Sequence, residues 1–114
     1  PQDYWSLTSV TSGRPRTQMS MPEAKAAVKA KLQEIVGRQL QADVPVGCFL
    51  SGGIDSSLIS AIAQESGAQR LQTFTIGFPD QDYNEAPMAR QIADHLGTDH
   101  QEWIVEPKDI LDLV

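Results

Sequence analysis

Residues 46–66 read VGCFLSGGIDSSLISAIAQES, and the change of period inside this stretch decides the fold. Val46 to Leu50 is a short, almost wholly apolar run of the kind that a central parallel strand, buried on both faces, carries. Ser51-Gly52-Gly53 breaks the run. From Asp55 to Ser66 the apolar residues Leu58, Ile59, Ile62 and Ala63 return at helical spacing, and Gly67 provides a C-terminal stop. A buried strand feeding a helix through a glycine-rich turn is the first half of a strand–helix–strand unit.

The same alternation continues outward. Leu71 to Phe78 (LQTFTIGF) predicts a second strand ended by Pro79, and Asn84 is placed to cap a helix running through Ala86, Met88, Ala89, Ile92, Ala93 and Leu96 to Gly97. Gln101 to Val105 predicts a third strand, and Pro107 opens a last helix. Upstream, Ser20-Met21-Pro22-Glu23 fits a capping box with proline where its missing N–H costs no helical bond. Ala24, Val28, Leu32, Ile35, Val36 and Leu40 then recur at steps of three and four, which predicts a helix over 21–41. This order predicts an α/β domain, a doubly wound parallel sheet with helices on both faces and right-handed crossovers. Residues 1–20 lack sustained periodicity: Tyr4, Trp5 and Leu7 are expected in a short extended edge, and Thr11 to Ser20 as a linker. The expected organisation is a linker over 1–20 and one domain over 21–114. Opening on proline, the chain reads as cut from something longer.

Composition narrows the function. The 114 residues carry nine Lys+Arg against fifteen Asp+Glu, a net charge of −6. The first twenty hold two arginines and one aspartate, so the acidity belongs to residues 21–114. Nucleic acid is therefore not an expected partner, because phosphate backbones need clustered Lys and Arg. No apolar run approaches the roughly 18 residues of a membrane span, so no membrane association is expected and the location is read as cytoplasmic. One cysteine excludes an internal disulfide.

The loop between the first strand and its helix carries the chemistry. At such a junction several backbone N–H groups point at one spot, and two glycines allow close approach and positive φ angles. Ser51, Ser56 and Ser57 add hydroxyls, which suits a phosphate or pyrophosphate. Asp55 would repel a bare phosphate, and its presence makes sense with Mg²⁺ between carboxylate and phosphate oxygens. A Walker A loop is ruled out because no lysine follows Gly52 or Gly53, and no G-x-G-x-x-G is present. The plainer alternative is a Ser/Gly-rich turn in which Asp55 simply complements the helix dipole.

SGGIDSS resembles the S-G-G-x-D-S signature of the N-type ATP pyrophosphatases, the PP-loop family. DVPVGCFLSGGIDSSLISAIA, LQTFTIGF and YNEAPMARQIADHLGTDHQEW are together similar to the glutamine-hydrolysing asparagine synthetases, over about residue 21 to the end. YWSL resembles the segment that joins that family's glutaminase and synthetase domains. The resemblance implies an adenine nucleotide alpha hydrolase-like fold, truncated, and ATP and Mg²⁺ as cofactors. It implies that Ser51, Gly52, Gly53, Asp55, Ser56 and Ser57 hold pyrophosphate, with Asp55 the metal ligand and catalytic group. Leu50 and Ile76 would flank the adenine, largely through backbone. The implied substrates are ATP, aspartate and ammonia from glutamine, reacting through a β-aspartyl-adenylate to give asparagine. The family's nucleophilic N-terminal cysteine and its second, acid- and glycine-rich loop have no counterpart here, so a glutaminase domain and the remainder of the synthetase domain are expected partners and the chain alone is expected to be inactive. Truncation through a sheet also predicts a bare edge and self-association, a homodimer being its simplest form. Within the same branch, an amidotransferase acting on another carboxylic acid is the rival reading. A non-catalytic nucleotide-binding module is the rival from another class.

Other chemistry-bearing residues have simpler explanations. Cys48 reads as a buried inert thiol. His95 and His100, near the expected helix end, read as structural, and Asp80, Asp82 and Glu85 as a solvated loop with a helix cap. Arg70 and Arg90 read as exposed positions without a role, and Trp5 and Trp103 as packing groups.

Overall fold

A computed structural model describes residues 4–12, 18–67, 69–80 and 84–106. Their elements are α1 (Leu7–Thr11), α2 (Met21–Gln39), β1 (Gly47–Phe49), α3 (Ile54–Ser66), β2 (Gln72–Gly77), α4 (Ala86–Leu96) and β3 (Asp99–Ile104). The helix expected after Pro107 and the side chain of Asp82 lie outside the described residues.

The three strands form one parallel sheet in the order β1-β2-β3. Phe49 is level with Phe74, and Ile76 with Trp103. Two right-handed crossovers made in the same direction place their helices on one face, and α3 and α4 do touch each other there. This is the expected α/β parallel architecture. Among the described residues the helices cover one face, because a second face is wound only where strand order reverses. Among the described residues β1 lies at the sheet edge rather than at its centre, and Phe49, expected to be buried, is 76 % exposed.

Two small cores sit under the helices. Val36 of α2, Ile62 and Ala63 of α3 and Leu71 form one, with Leu32, Leu40, Cys48 and Ile59 against it. Leu50, Ala89 and Ala93 form the other, joined by Ile92. The stripe on α2 is only partly used: Leu32, Val36 and Leu40 pack into the core, while Val28 and Ile35 remain exposed. An apolar groove of about 430 Å³ therefore runs between α2 and α3.

The sheet turns its threonines inward and its aromatics outward. Thr73 and Thr75 are buried under the helices, while Phe74 stacks on Trp103 at 5.6 Å and meets Phe49 edge-on at 6.5 Å across the open face. The buried threonine hydroxyls are satisfied. Thr73 Oγ1 lies 2.8 Å from Thr98 Oγ1 and 2.9 Å from His100 Nδ1, and Thr75 Oγ1 donates to the Leu50 carbonyl.

Element ends follow local chemistry. At the start of α2 the Glu23 carboxylate accepts from the Ser20 N–H at 2.8 Å and from its hydroxyl at 2.6 Å. These two bonds lower the Glu23 pKa. The N-cap of α4 is Glu85 rather than Asn84, although the Asn84 side chain does accept from the Ala86 N–H at 3.1 Å. Gly97 ends α4 at φ 70°. The expected extended edge at Tyr4, Trp5 and Leu7 is not formed. Ser6 caps the short α1, accepting from the Ser9 N–H at 3.1 Å, and leaves Tyr4, Trp5 and Leu7 exposed. A hydroxyl beside three uncapped amides outcompetes an isolated edge with no strand to pair.

Candidate functional site

The parallel sheet delivers the carboxyl ends of β1 and β2 to the same side of the molecule, where α/β sheets bind ligands. Leu50 closes β1, its N–H donating to the Phe74 carbonyl at 2.8 Å. The chain then turns through Ser51-Gly52-Gly53 into α3, so the first-turn amides of Ile54, Asp55 and Ser56 point out of the helix end without a helical acceptor.

The serines brace this loop. Ser51 and Ser56 hydroxyls lie 2.7 Å apart, Ser56 Oγ accepts from the Ser51 N–H at 3.2 Å, and Ser51 Oγ accepts from the Gly53 N–H at 3.2 Å. Ser57 Oγ donates to the Gly53 carbonyl at 2.6 Å. The hydroxyls expected to face a ligand are thus engaged with the loop itself, leaving the helix-end amides as its outward donors.

The loop glycines do not use the positive φ angles open to them. Gly53 is extended at φ −81°, and among the described residues Gly97 alone has positive φ. Gly52 serves close approach instead: a Cβ there would stand 3.0 Å from Met88 Cγ on α4. Asp55 is exposed in the first turn of α3.

Next to the loop, between the ends of β1 and β2, lies a cavity of about 260 Å³. Leu50, Ser51, Ser56 and Ile76, all expected at the site, line it. Gly52, Gly53, Asp55 and Ser57 do not line it: the glycines lie in the adjoining loop, Asp55 and Ser57 at the start of α3. Four further residues complete the walls: Phe49, Phe74, Thr75 and Glu85. The sequence carries no local signal for Phe49 and Phe74, because their meeting depends on the parallel register. Glu85 was visible as an acid after the second strand, but its place on the cavity wall depends on where α4 begins.

The remaining candidates fall into structural roles. His100 lies within β3 rather than beside the helix end, with Nε2 3.4 Å from Glu102 Oε1. Arg90 reaches from α4 to Glu102 in a two-pronged ion pair, its Nε donating to Oε1 at 2.8 Å. The Arg90 bonds hold the Glu102 carboxyl below its ordinary pKa, with burial opposing them. Arg70 Nε donates to the Gly97 carbonyl at 3.0 Å, at the opposite end of the sheet from the loop. Burial raises the Cys48 thiol pKa, which fits an inert group. Among the described residues no helix is long and apolar enough to cross a membrane.

Residues 27–114 match the family model described as asparagine synthase. The chain belongs to the asparagine synthase family. It is 32% identical to an asparagine synthetase [glutamine-hydrolyzing] 3 of Bacillus subtilis over 96% of this chain and 19% of that relative. It is 37% identical to the asparagine synthetase B [glutamine-hydrolyzing] of Escherichia coli over 68% of this chain and 16% of the relative. The chain thus spans about a fifth or less of the length of these family members. Among solved structures, the NH3-dependent NAD synthetase from Campylobacter jejuni shares the fold at a TM-score of 0.59 and 19% identity, over 77% of this chain and 38% of the other.

The donor set around the loop is compatible with Mg²⁺ brought by a nucleotide. Among the described residues no group of three His, Cys, Asp or Glu forms a cage. Mg²⁺ is commonly held by one or two carboxylates plus substrate phosphates, and Asp55 offers one exposed carboxylate beside the outward amides.

Proposed function

We propose that this asparagine synthase chain binds ATP at the SGGIDSS loop and serves the adenylation of a carboxylate, aspartate in the first instance. The observation that carries the reading is the joining of Leu50, Ile76, Ser51 and Ser56 on one cavity directly beside the loop. Phe49, Leu50, Phe74 and Ile76 give the cavity an apolar portion suited to a purine, and the loop lies at its polar end. There the first-turn amides of α3 receive the pyrophosphate, and the helix dipole favours its charge.

Asp55 is the residue that would hold Mg²⁺, which neutralises charge on the pyrophosphate as it leaves. The chain's own contribution is positional. Ser51 and Ser56 lock the loop, Gly52 lets it lie against α4, and the strand ends fix the base relative to the phosphates. In the full reading, the aspartate β-carboxylate attacks the α-phosphorus, and ammonia derived from glutamine then displaces AMP to give asparagine. Residues 21–114 act as the front part of an ATP-pyrophosphatase domain, residues 1–20 as its linker, and a glutaminase domain with the remaining synthetase segment supplies the rest.

Equilibrium binding of ATP to the chain, with and without Mg²⁺, tests the nucleotide reading, and binding strengthened by Mg²⁺ is expected. Joined to a glutaminase domain and a synthetase remainder of the family, the chain should catalyse aspartate-dependent ATP–pyrophosphate exchange. Exchange dependent on a different carboxylic acid would move the substrate while keeping the mechanism. Nucleotide binding without any exchange would favour a non-catalytic module.

A further inference from the structure

We propose that Glu85 receives the ribose hydroxyls of the bound nucleotide and so makes the site selective for ribonucleotides. This rests on the ATP reading above and adds a residue to it.

Glu85 lines the cavity and, among the described residues, is its one ionisable wall residue. It precedes α4 by one position, and its carbonyl accepts from the Ala89 N–H at 3.0 Å, so the helical repeat already holds there. Residues three and four apart share a helix face. Met88 stands against Gly52, and Ala89 is fully buried against Leu50. Glu85 therefore lies one turn before these two contacts, on the side of α4 that faces the strand end and loop. Asn84, its neighbour, approaches Gly77 at the end of β2, which sets Glu85 toward the Ile76 side of the cavity.

The other polar groups on the wall are committed. The Ser51 and Ser56 hydroxyls bond each other, and Thr75 Oγ1 donates to Leu50. Among the described residues, no hydrogen bond or ion pair engages the Glu85 carboxylate. An ionised carboxylate only accepts, so it calls for a donor-rich, uncharged part of the ligand. A nucleotide with its base on the apolar wall and its phosphates at the α3 amides sets its vicinal diol between them. Two hydroxyl donors then meet an acceptor-only group, and hydrogen bonds to a charged partner are the stronger kind.

The test is binding of ATP and of 2′,3′-dideoxy-ATP to the full chain and to its Glu85→Ala and Glu85→Gln variants. The unaltered chain is expected to bind ATP about tenfold more tightly than the dideoxy analogue. Glu85→Ala should lower ATP affinity to the level of the analogue and leave the analogue unchanged. Glu85→Gln, which keeps one acceptor oxygen, should retain part of the preference. Thermal unfolding of each variant identifies loss through misfolding, and unchanged binding of the analogue is itself a sign of an intact site. A preference that survives in Glu85→Ala, or the absence of any preference in the unaltered chain, overturns the role of Glu85 while leaving the ATP reading standing. Failure of the unaltered chain to bind either nucleotide overturns the ATP reading and this inference with it.

Discussion

Met88 occupies the space that a side chain at Gly52 would need: a Cβ built on Gly52 lies 3.0 Å from Met88 Cγ and 3.1 Å from Met88 Cβ. The loop is thus gauged against α4 by direct contact. Because Gly52 has no positive φ, an alanine there meets a steric obstacle and no backbone one. Gly52→Ala is expected to shift the loop and weaken ATP binding at least tenfold. Met88→Ala removes the Cγ contact and leaves the one at Cβ, so the double variant should recover part of the lost affinity. A double-mutant cycle by calorimetry measures this coupling, and additive effects would refute the gauge.

Asp55 lies outside the cavity but beside the outward amides, and its proposed role is at the phosphates rather than the base. Asp55→Asn should abolish the strengthening of ATP binding by Mg²⁺ and change AMP affinity less than twofold. An AMP affinity that falls in parallel would place Asp55 on the nucleoside. Titrations with each nucleotide, with Mg²⁺ and with a chelator, distinguish the two.

Acid should loosen α4 from β3. The Arg90 guanidinium bonded to it holds the Glu102 carboxyl below its ordinary value of 4.5, with burial acting against that and His100 adding slightly. A depressed folded pKa contributes stability that is fully present above the unfolded value and is lost as pH falls through the folded one. The Arg90 end is largely solvated, so water screens the pair and its contribution is small. Urea unfolding at pH 7 and pH 3 should show Glu102→Gln less stable than the unaltered chain at pH 7. The gap should narrow at pH 3.

The turn from α4 into β3 depends on one left-handed residue. Gly97 sits at φ 70° with open space around its Cα, so an added methyl group meets strain in the backbone alone. Gly97→Ala should cost about 1–2 kcal/mol and lower Tm, with no loss of ATP affinity at temperatures where the chain stays folded.

Much of the architecture is written locally. Helical spacing in Leu58, Ile59 and Ile62, the stops at Gly67, Pro79 and Gly97, and the glycine break after Leu50 locate α3, β2 and α4 to within a few residues. The start of β3 was hidden, because Asp99 and His100 are polar and become strand through pairing, as in the bond from the Asp99 N–H to the Leu71 carbonyl. The facing of β2 was hidden too: threonines can turn inward only because Thr98, His100 and Leu50 supply partners from elsewhere in the chain. At the site, the glycine break and the helix start after it were legible from the residues, while Leu50 and Ile76 came only with the family resemblance. Phe49 and Phe74 were not, since register between strands is a tertiary fact.

The aromatic row on the open face gives the molecule an optical property. Trp103 stacks on Phe74, and Phe74 with Phe49 forms the wall against which a purine would lie. One of the two indoles in the chain is therefore a single ring away from the cavity, while the other, Trp5, precedes α1 in a solvent-exposed segment. A base entering the cavity should perturb Phe74, and through it the emission of Trp103, against the steady background of Trp5. With Trp5→Phe the chain becomes its own fluorescent sensor of occupancy.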